Sequence, residues 1–208
     1  MKVAGSIALV TGANRGLGLA FAKVLVEMGA AKVYAAARNP QVVTLTGVVP
    51  LKLDVTSDED AAAAARTAGN INLLINNAGI ARPGSFLADG AIEAAREQFE
   101  VNFVGSLRVA RAFAPVLAKN GGGAIINVLS VASWMNGPTK FTSNCSRAAS
   151  TAPSARKPPG LAMPALLISR LMFAATRAAA TTSSSLVTSS FSGTTPIRVT
   201  AFGLRAAA

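Results

Sequence analysis

The strongest constraint on the fold is a regular alternation of short apolar runs with segments of helical periodicity. An apolar run at residues 7–10 leads into a glycine-rich turn, after which apolar residues recur every three or four positions from Leu17 to Met28. Residues 32–37 form a second apolar run. Two parallel strands need a crossover connection, and a helix of this length supplies one. The first forty residues therefore predict a β-α-β unit.

The alternation continues to about residue 130. Ser57 and Asp60 resemble a capping box that opens a helix. Further strands are predicted at residues 48–53, 71–75 and 124–129, with helices at 58–68 and 99–117. This order predicts an α/β fold with a doubly wound, Rossmann-like parallel sheet that binds ligands beyond the carboxyl ends of its strands.

The composition changes near residue 147. Between residues 148 and 195, 31 of 48 residues are Ala, Ser, Thr or Pro, which leaves few large side chains for a core. We therefore predict a Rossmann-like domain over residues 1–147 and a basic, poorly ordered segment over 148–208. A last strand is predicted at residues 196–202, so the C-terminal part of the fold is expected to be atypical or incomplete.

The residue inventory excludes several kinds of site. The chain has no histidine, which excludes a Ser-His-Asp triad, a histidine base and a His-ligated metal. Its single cysteine, Cys145, cannot form an internal disulfide or a CxxC metal site. We expect no metal.

Positive charge accumulates in the second half of the chain. The net charge is +11, and residues 101–208 hold eleven Lys or Arg and no acid. The arginines among them are scattered singly with few aromatic residues between them, so we expect no nucleic-acid partner. Arg170 interrupts the most apolar long stretch, residues 161–180, so we expect no membrane span. The first apolar run is too short for a signal peptide, and we expect a cytoplasmic location.

The first turn carries the clearest ligand signal. Gly12, Gly16 and Gly18 are spaced G-x3-G-x-G between the first strand and the first helix. Without Cβ atoms, such a turn lets a pyrophosphate approach the backbone and the N–H groups of the helix. The turn therefore predicts dinucleotide binding.

Five stretches, taken in chain order, resemble the short-chain dehydrogenase/reductase family over about two thirds of the chain. Residues 11–18 match its glycine-rich turn, 53–55 its adenine contact and 76–79 its Asn-Asn-Ala-Gly motif. Residues 101–105 resemble the helix segment whose asparagine holds a proton-relay water. Residues 127–133 resemble the stretch that bears its catalytic serine.

This resemblance implies hydride transfer between a nicotinamide cofactor and a small carbonyl or alcohol. It implies that Asn102 holds the relay water and that Ser130 is catalytic. It also implies self-association through the fourth and fifth crossover helices, the second of which falls in the low-complexity segment. The cofactor contacts that it implies are Gly12, Asn14, Arg15, Gly16, Leu17, Gly18, Asp54, Val55, Asn76, Ala78 and Gly79.

The end of the second strand indicates which cofactor is preferred. NAD-binding proteins of this fold place an acid there for the ribose 2′-hydroxyl, and an arginine accommodates a 2′-phosphate. Here the strand ends on Arg38, with no carboxylate beside it in the sequence, and Arg15 lies in the glycine-rich turn. Guanidinium groups suit phosphate, so we predict that NADP(H) is preferred over NAD(H).

The chain departs from the family at its catalytic Tyr-x-x-x-Lys. Ser143 and Arg147 occupy those two positions, and the only tyrosine is Tyr34. A serine hydroxyl is a far weaker acid than a phenol, and arginine cannot release a proton at neutral pH. Three readings stay open: an NADP(H)-dependent oxidoreductase, a catalytically disabled dinucleotide-binding protein, or a frameshifted or mis-spliced product altered near residues 138–150.

Overall fold

The computed structural model describes residues 2–82 and 87–129 and the backbone of residues 199–204. Its strands are β1 (Ile7–Thr11), β2 (Lys32–Ala37), β3 (Val49–Lys52), β4 (Leu73–Asn76), β5 (Gly123–Val128) and β6 (Val199–Leu204). They form one sheet in the order β3-β2-β1-β4-β5-β6. Every neighbouring pair among strands β1 to β5 is parallel, which confirms the predicted sheet.

The sixth strand departs from an all-parallel sheet. It begins three residues later than predicted and pairs antiparallel with β5, with Val199 opposite Val128 and Leu204 opposite Gly123. Strand direction depends on the path of the preceding connection, which a short apolar run in the sequence does not encode.

The helices are α1 (Gly16–Glu27), α2 (Asp58–Thr67), α3 (Ala91–Phe99) and α4 (Gly105–Lys119), with a 3-10 turn at Pro40–Val42. A π-helical turn, Glu100–Val104, joins α3 to α4, so the helix predicted at 99–117 begins eight residues earlier. The early turns were missed because most of their side chains are small or polar and few are buried.

Each face of the sheet buries its own apolar cluster. Successive side chains of a strand point to opposite faces, so Leu9 and Val10 of β1 belong to different clusters. Phe21 of α1 covers one face, and Phe113 of α4 covers the other together with α2. Because both faces are covered, the central strands are continuous apolar runs.

The continuous helix Ala91–Lys119 is long and apolar enough to cross a membrane by length and composition. It is the one such helix among the described residues. Val109, Phe113 and Leu117 are fully buried against the sheet. A core helix passes the same test, and these contacts account for the side of the helix that packs on the sheet.

Candidate functional site

The turn from β1 to α1 is built around its three glycines. Gly12 and Gly16 have φ angles of +66° and +55°, a region that side chains disfavour. Gly18 has no room for a Cβ, which would meet the carbonyl oxygen of Gly12 and come within 2.5 Å of the Asn77 side-chain nitrogen. The turn is thus packed against the loop after β4 too closely for any larger residue at Gly18.

Helix α1 begins with open backbone donors. Arg15 occupies the N-cap position in an extended conformation without a capping side-chain bond, and the first turn contains no acid. The N–H groups of Gly16, Leu17 and Gly18 donate to no atom in the described part of the chain. Such an N-terminus combines free donors with the positive end of the helix dipole, which suits an anion.

Thr11, the last residue of β1, ties this turn to the segment after β4. Its hydroxyl oxygen accepts the N–H groups of Asn77, at 2.9 Å, and of Ala78, at 3.0 Å. The side chain of Asn77 donates to the Thr11 carbonyl at 3.0 Å. Sequence reasoning did not assign Thr11 or Asn77 to the site, although both lie within the motifs it used.

Asn76 faces away from this contact. Only 3% of it is exposed, and its Nδ2 donates to Asn127 Oδ1 at 3.0 Å and to the Ser106 carbonyl at 3.2 Å. Its Oδ1 has no hydrogen-bond partner among the described residues. The side chain of Asn76 therefore braces β4 against β5 and α4, so any cofactor contact would come from its backbone.

Asn102 lies in the π-helical turn, and its side chain binds the loop that follows Gly79 through two hydrogen bonds. Its Oδ1 accepts the N–H of Ile80 at 2.8 Å, and its Nδ2 donates to the carbonyl of Ile80 at 2.9 Å. π-helical turns inside α-helices are frequent at functional sites. The structure thus brings Asn102 to the edge of the sheet that carries the glycine-rich turn.

The end of β2 adds positive charge to this edge. Arg38 is exposed and makes no hydrogen bond or ion pair with the described residues. Its positive charge helps to lower the pKa of the Asp54 and Glu97 carboxyls. Both acids are remote from Arg38 in the sequence, so only the fold brings them near it.

Asp54 follows β3 in a tightly bonded turn. Its Oδ1 accepts the N–H of Thr56 at 2.9 Å and the Thr56 hydroxyl at 2.7 Å. Partial burial raises the pKa of Asp54, but the bonds from Thr56 and the charges of Arg38 and Arg108 outweigh it and leave the pKa below its usual value. The carboxylate is therefore held ionised and fixed in direction.

The capping box predicted at α2 is half formed. Ser57 Oγ accepts the N–H of Asp60 at 3.0 Å, as expected of an N-cap. Asp60 does not return the bond to the Ser57 backbone; its carboxylate accepts the N–H of Asp54 at 3.0 Å and pairs with Lys52 at 3.1 Å. The N-terminus of α2 is thus closed by its own side chains.

The predicted cofactor contacts therefore meet along one edge of the sheet, at the carboxyl ends of β1 to β4. Asn102 joins them there. Ser130, Ser143 and Arg147 lie outside the described residues, and so does most of the segment 148–208. Tyr34 is 4% exposed in the middle of β2, packed in the cluster on the α2 and α4 face.

Comparison with known proteins gives a consistent result. The family model described as short chain dehydrogenase matches residues 6–153. A short chain dehydrogenase from Burkholderia cenocepacia, solved in complex with NADP, is 45% identical, with a TM-score of 0.68 over 72% of this chain and 63% of that one.

Two curated relatives are similar over the same part of the chain. The short chain dehydrogenase tazN of Aspergillus terreus is 35% identical over 67% of this chain and 34% of its own length. The D-erythrulose reductase of Gallus gallus is 39% identical over 62% of this chain and 54% of its own length. The chain thus spans between about a third and about half of the length of these relatives.

Proposed function

The chain belongs to the short-chain dehydrogenase/reductase family, whose model matches residues 6–153, and we propose that it is an oxidoreductase dependent on NADP(H). Its substrate is a small molecule with a carbonyl or alcohol group. When bound, the cofactor supplies or accepts the hydride. The observation that carries the proposal is the open N-terminus of α1, with its free N–H groups behind a glycine-rich turn.

Two parts of the site are proposed to bind the cofactor: the start of α1 and the loop after β4. The N–H groups of Gly16, Leu17 and Gly18 suit the pyrophosphate, because they are unpaired donors at the positive end of a helix. The loop after β4, held by Thr11 and Asn102, forms the opposite wall. This arrangement fits a dinucleotide.

The preference for the 2′-phosphate rests on two exposed guanidinium groups. Arg38 and Arg15 have no ion pair among the described residues, so neither must give up a partner to bind phosphate. Each charge-assisted hydrogen bond is worth roughly 1.5–3 kcal/mol. We therefore expect NADPH to bind more than about tenfold more tightly than NADH.

Titration by nicotinamide fluorescence tests this preference. Arg38→Ala should remove most of it while leaving the affinity for NADH nearly unchanged. Arg66→Ala is the matched control, because Arg66 lies in the last turn of α2, away from the carboxyl edge of the sheet. Equal affinities of the wild type for the two cofactors would contradict the assignment.

A second candidate function is dinucleotide binding with little catalysis. It is favoured by the position of Tyr34, the single tyrosine, whose burial in β2 removes it from any role as a proton donor to substrate. Ser143 and Arg147 stand where the family has its tyrosine and lysine. Loss of general acid catalysis costs typically about 10²- to 10⁴-fold in rate.

Oxidation of NADPH with a panel of small aldehydes and ketones separates the two candidates. Ser143→Tyr alone should recover little rate, because the phenol would lack the neighbouring lysine ammonium. The double variant Ser143→Tyr, Arg147→Lys should gain more than the product of the single gains. Fast turnover by the wild type would show that another group donates the proton and would exclude the binding-only function.

A further inference from the structure

Arg108 of α4 reaches across to the turn between β3 and α2. Its side chain is 16% exposed, and its NH1 donates to the carbonyl oxygen of Val55 at 2.8 Å. Its Nε donates to Asp58 Oδ1 at 2.8 Å, and its NH1 also reaches Glu100 Oε1 at 3.1 Å. One guanidinium thus joins a backbone carbonyl to carboxylates from two other elements.

The packing around Val55 leaves little freedom for this turn. A Cβ on Gly105 would lie 2.8 Å from Val55 Cγ2 and 3.1 Å from its carbonyl oxygen, so α4 lies directly against the residue. The Val55 side chain is buried in the cluster under α2 and α4. The position of Val55 is therefore set by α4 rather than by the turn alone.

The same helix also controls the opposite wall of the site. Asn102, six residues before Arg108, holds Ile80 through two hydrogen bonds. Arg108 and Asn102 therefore fix the loops after β3 and β4 from one continuous helical element. A change at either residue can move one wall relative to the other.

We propose that Arg108 is a positioning residue for the adenine end of the cofactor, acting through its bond to the Val55 carbonyl. The proposal rests on the proposed function and on the family resemblance, which implies that the adenine contacts residues 53–55. The planar guanidinium holds a carbonyl and two carboxylates at once, whereas a lysine ammonium offers no such fixed fork. The bond to Val55 governs cofactor affinity, and the two ion pairs govern stability.

Two ligands separate these roles. ADP-ribose contains the adenine, and reduced nicotinamide mononucleotide lacks it. Arg108→Met should weaken the binding of ADP-ribose and NADPH about tenfold or more, as expected for one charge-assisted bond. The affinity for reduced nicotinamide mononucleotide should stay within about twofold. Arg108→Lys should weaken the adenine ligands similarly while keeping the folded chain intact.

Two controls test whether the effect is only structural. Arg111→Met changes an exposed arginine of α4 that has no ion pair among the described residues, and it should bind every ligand as the wild type does. The double variant Asp58→Asn, Glu100→Gln removes the charges but keeps the Val55 bond. It should lower the thermal midpoint without changing the affinity for ADP-ribose.

The outcomes are distinguishable. Equal loss of ADP-ribose affinity in the Asp58/Glu100 variant would overturn the proposal, because the ion pairs would then set the site. Unchanged ADP-ribose affinity in both Arg108 variants would overturn it as well, while leaving the proposed function intact. Failure of the wild type to bind both NADPH and ADP-ribose would instead overturn the proposed function, and this inference with it.

Discussion

Two turns at the carboxyl edge of the sheet lead from a strand into a helix. Their side chains cap the N-terminus of α2 and leave the N-terminus of α1 uncapped. At α1 the N-cap is Arg15, with no capping bond and no acid in the first turn. At α2 the N-cap is Ser57, which accepts the N–H of Asp60, and three acids occupy the first turn.

The difference shows what the fold supplies and what the side chains decide. Every crossover in a parallel sheet brings a helix N-terminus to this edge, with unpaired donors and a partial positive charge. Acids that fill the first turn of α2 satisfy that end internally. Glycines and an arginine leave the end of α1 available to an external anion.

The largest effect on stability and cofactor affinity should come from adding a side chain at Gly18. Gly18→Ala inserts a methyl group where the Gly12 carbonyl and the Asn77 side chain already meet, so the turn must shift. We expect a loss of roughly 1–3 kcal/mol in the free energy of unfolding. NADPH affinity should fall on the order of 100-fold, comparable with the effect of an ångström of misplacement.

Chemical denaturation and cofactor titration measure the two effects of Gly18→Ala. Gly69→Ala is the control, because a Cβ there makes only ordinary contacts with the carbonyl oxygens of Arg66 and Ala65. The control should leave both quantities near wild type. Wild-type affinity in Gly18→Ala would show that the open donors of α1 are not the phosphate site.

A smaller effect, with opposite signs for stability and binding, is expected at Arg15. Arg15→Asp gives α1 the kind of cap that α2 has, because the extended backbone at this position suits an N-cap. The chain should gain about 0.5–2 kcal/mol of stability. It should bind NADPH at least about tenfold more weakly, since the carboxylate repels the phosphates and takes their donors.

Arg15→Ala separates the two contributions. This variant loses the cation without adding a cap, so affinity should fall less than in Arg15→Asp and stability should not rise. Thermal denaturation and fluorescence titration of the three proteins provide the comparison. Tighter NADPH binding by Arg15→Asp would contradict the distinction between the two turns.

The reverse change at α2 should affect stability alone. Ser57→Ala removes the oxygen that accepts the N–H of Asp60, which costs about 1 kcal/mol. The preference for NADPH over NADH should not change, because Ser57 caps α2 and is not among the residues proposed to bind phosphate. Ser57→Thr, which keeps the hydroxyl, should retain most of the stability. Loss of the preference for NADPH in Ser57→Ala would contradict the prediction that the α2 turn affects stability alone.

The smallest effect concerns acid pH. Because the folded pKa of Asp54 lies below its usual value of about 3.9, its ionised form favours the folded state. This contribution is complete above the unfolded pKa and is lost as the pH falls through the folded pKa. Asp54→Asn should therefore flatten the fall in stability below about pH 4.

Urea denaturation between about pH 2 and pH 6 measures this slope. Asp89→Asn is the control, because Asp89 is exposed and has no ion pair among the described residues. It should keep the slope of the wild type. An unchanged slope in Asp54→Asn would show that the bonds from Thr56 do not favour the ionised carboxylate.

The sequence predicted the elements better than it predicted their connections. The five parallel strands and helices α1 and α2 were found because apolar spacing reports which side of an element is buried. The first turns of the long helix, within α3, were missed because they contain few large apolar residues. The last strand was predicted, but not its antiparallel pairing, because direction is not a local property.

The candidate site divides in the same way. Gly12, Gly16 and Gly18 were identified because a turn that needs open backbone can be recognised from its glycines alone. Thr11, which joins two loops of the site, was not identified, since its partners are 66 and 67 positions away. Arg108 was missed for the same reason, because Val55 lies 53 positions earlier.

The sequence by itself determined the family, the alternation of strands and helices, and the absence of acids from the first turn of α1. These features depend on residue type and local spacing, and they persist in any arrangement of the strands. Only the tertiary structure decided that Asn76 braces the sheet, that Arg38 lies in the field of Asp54, and that Arg108 holds Val55. The physical reason is that a hydrogen bond or a charge interaction requires two groups within a few ångströms, and strand order alone brings such distant residues together.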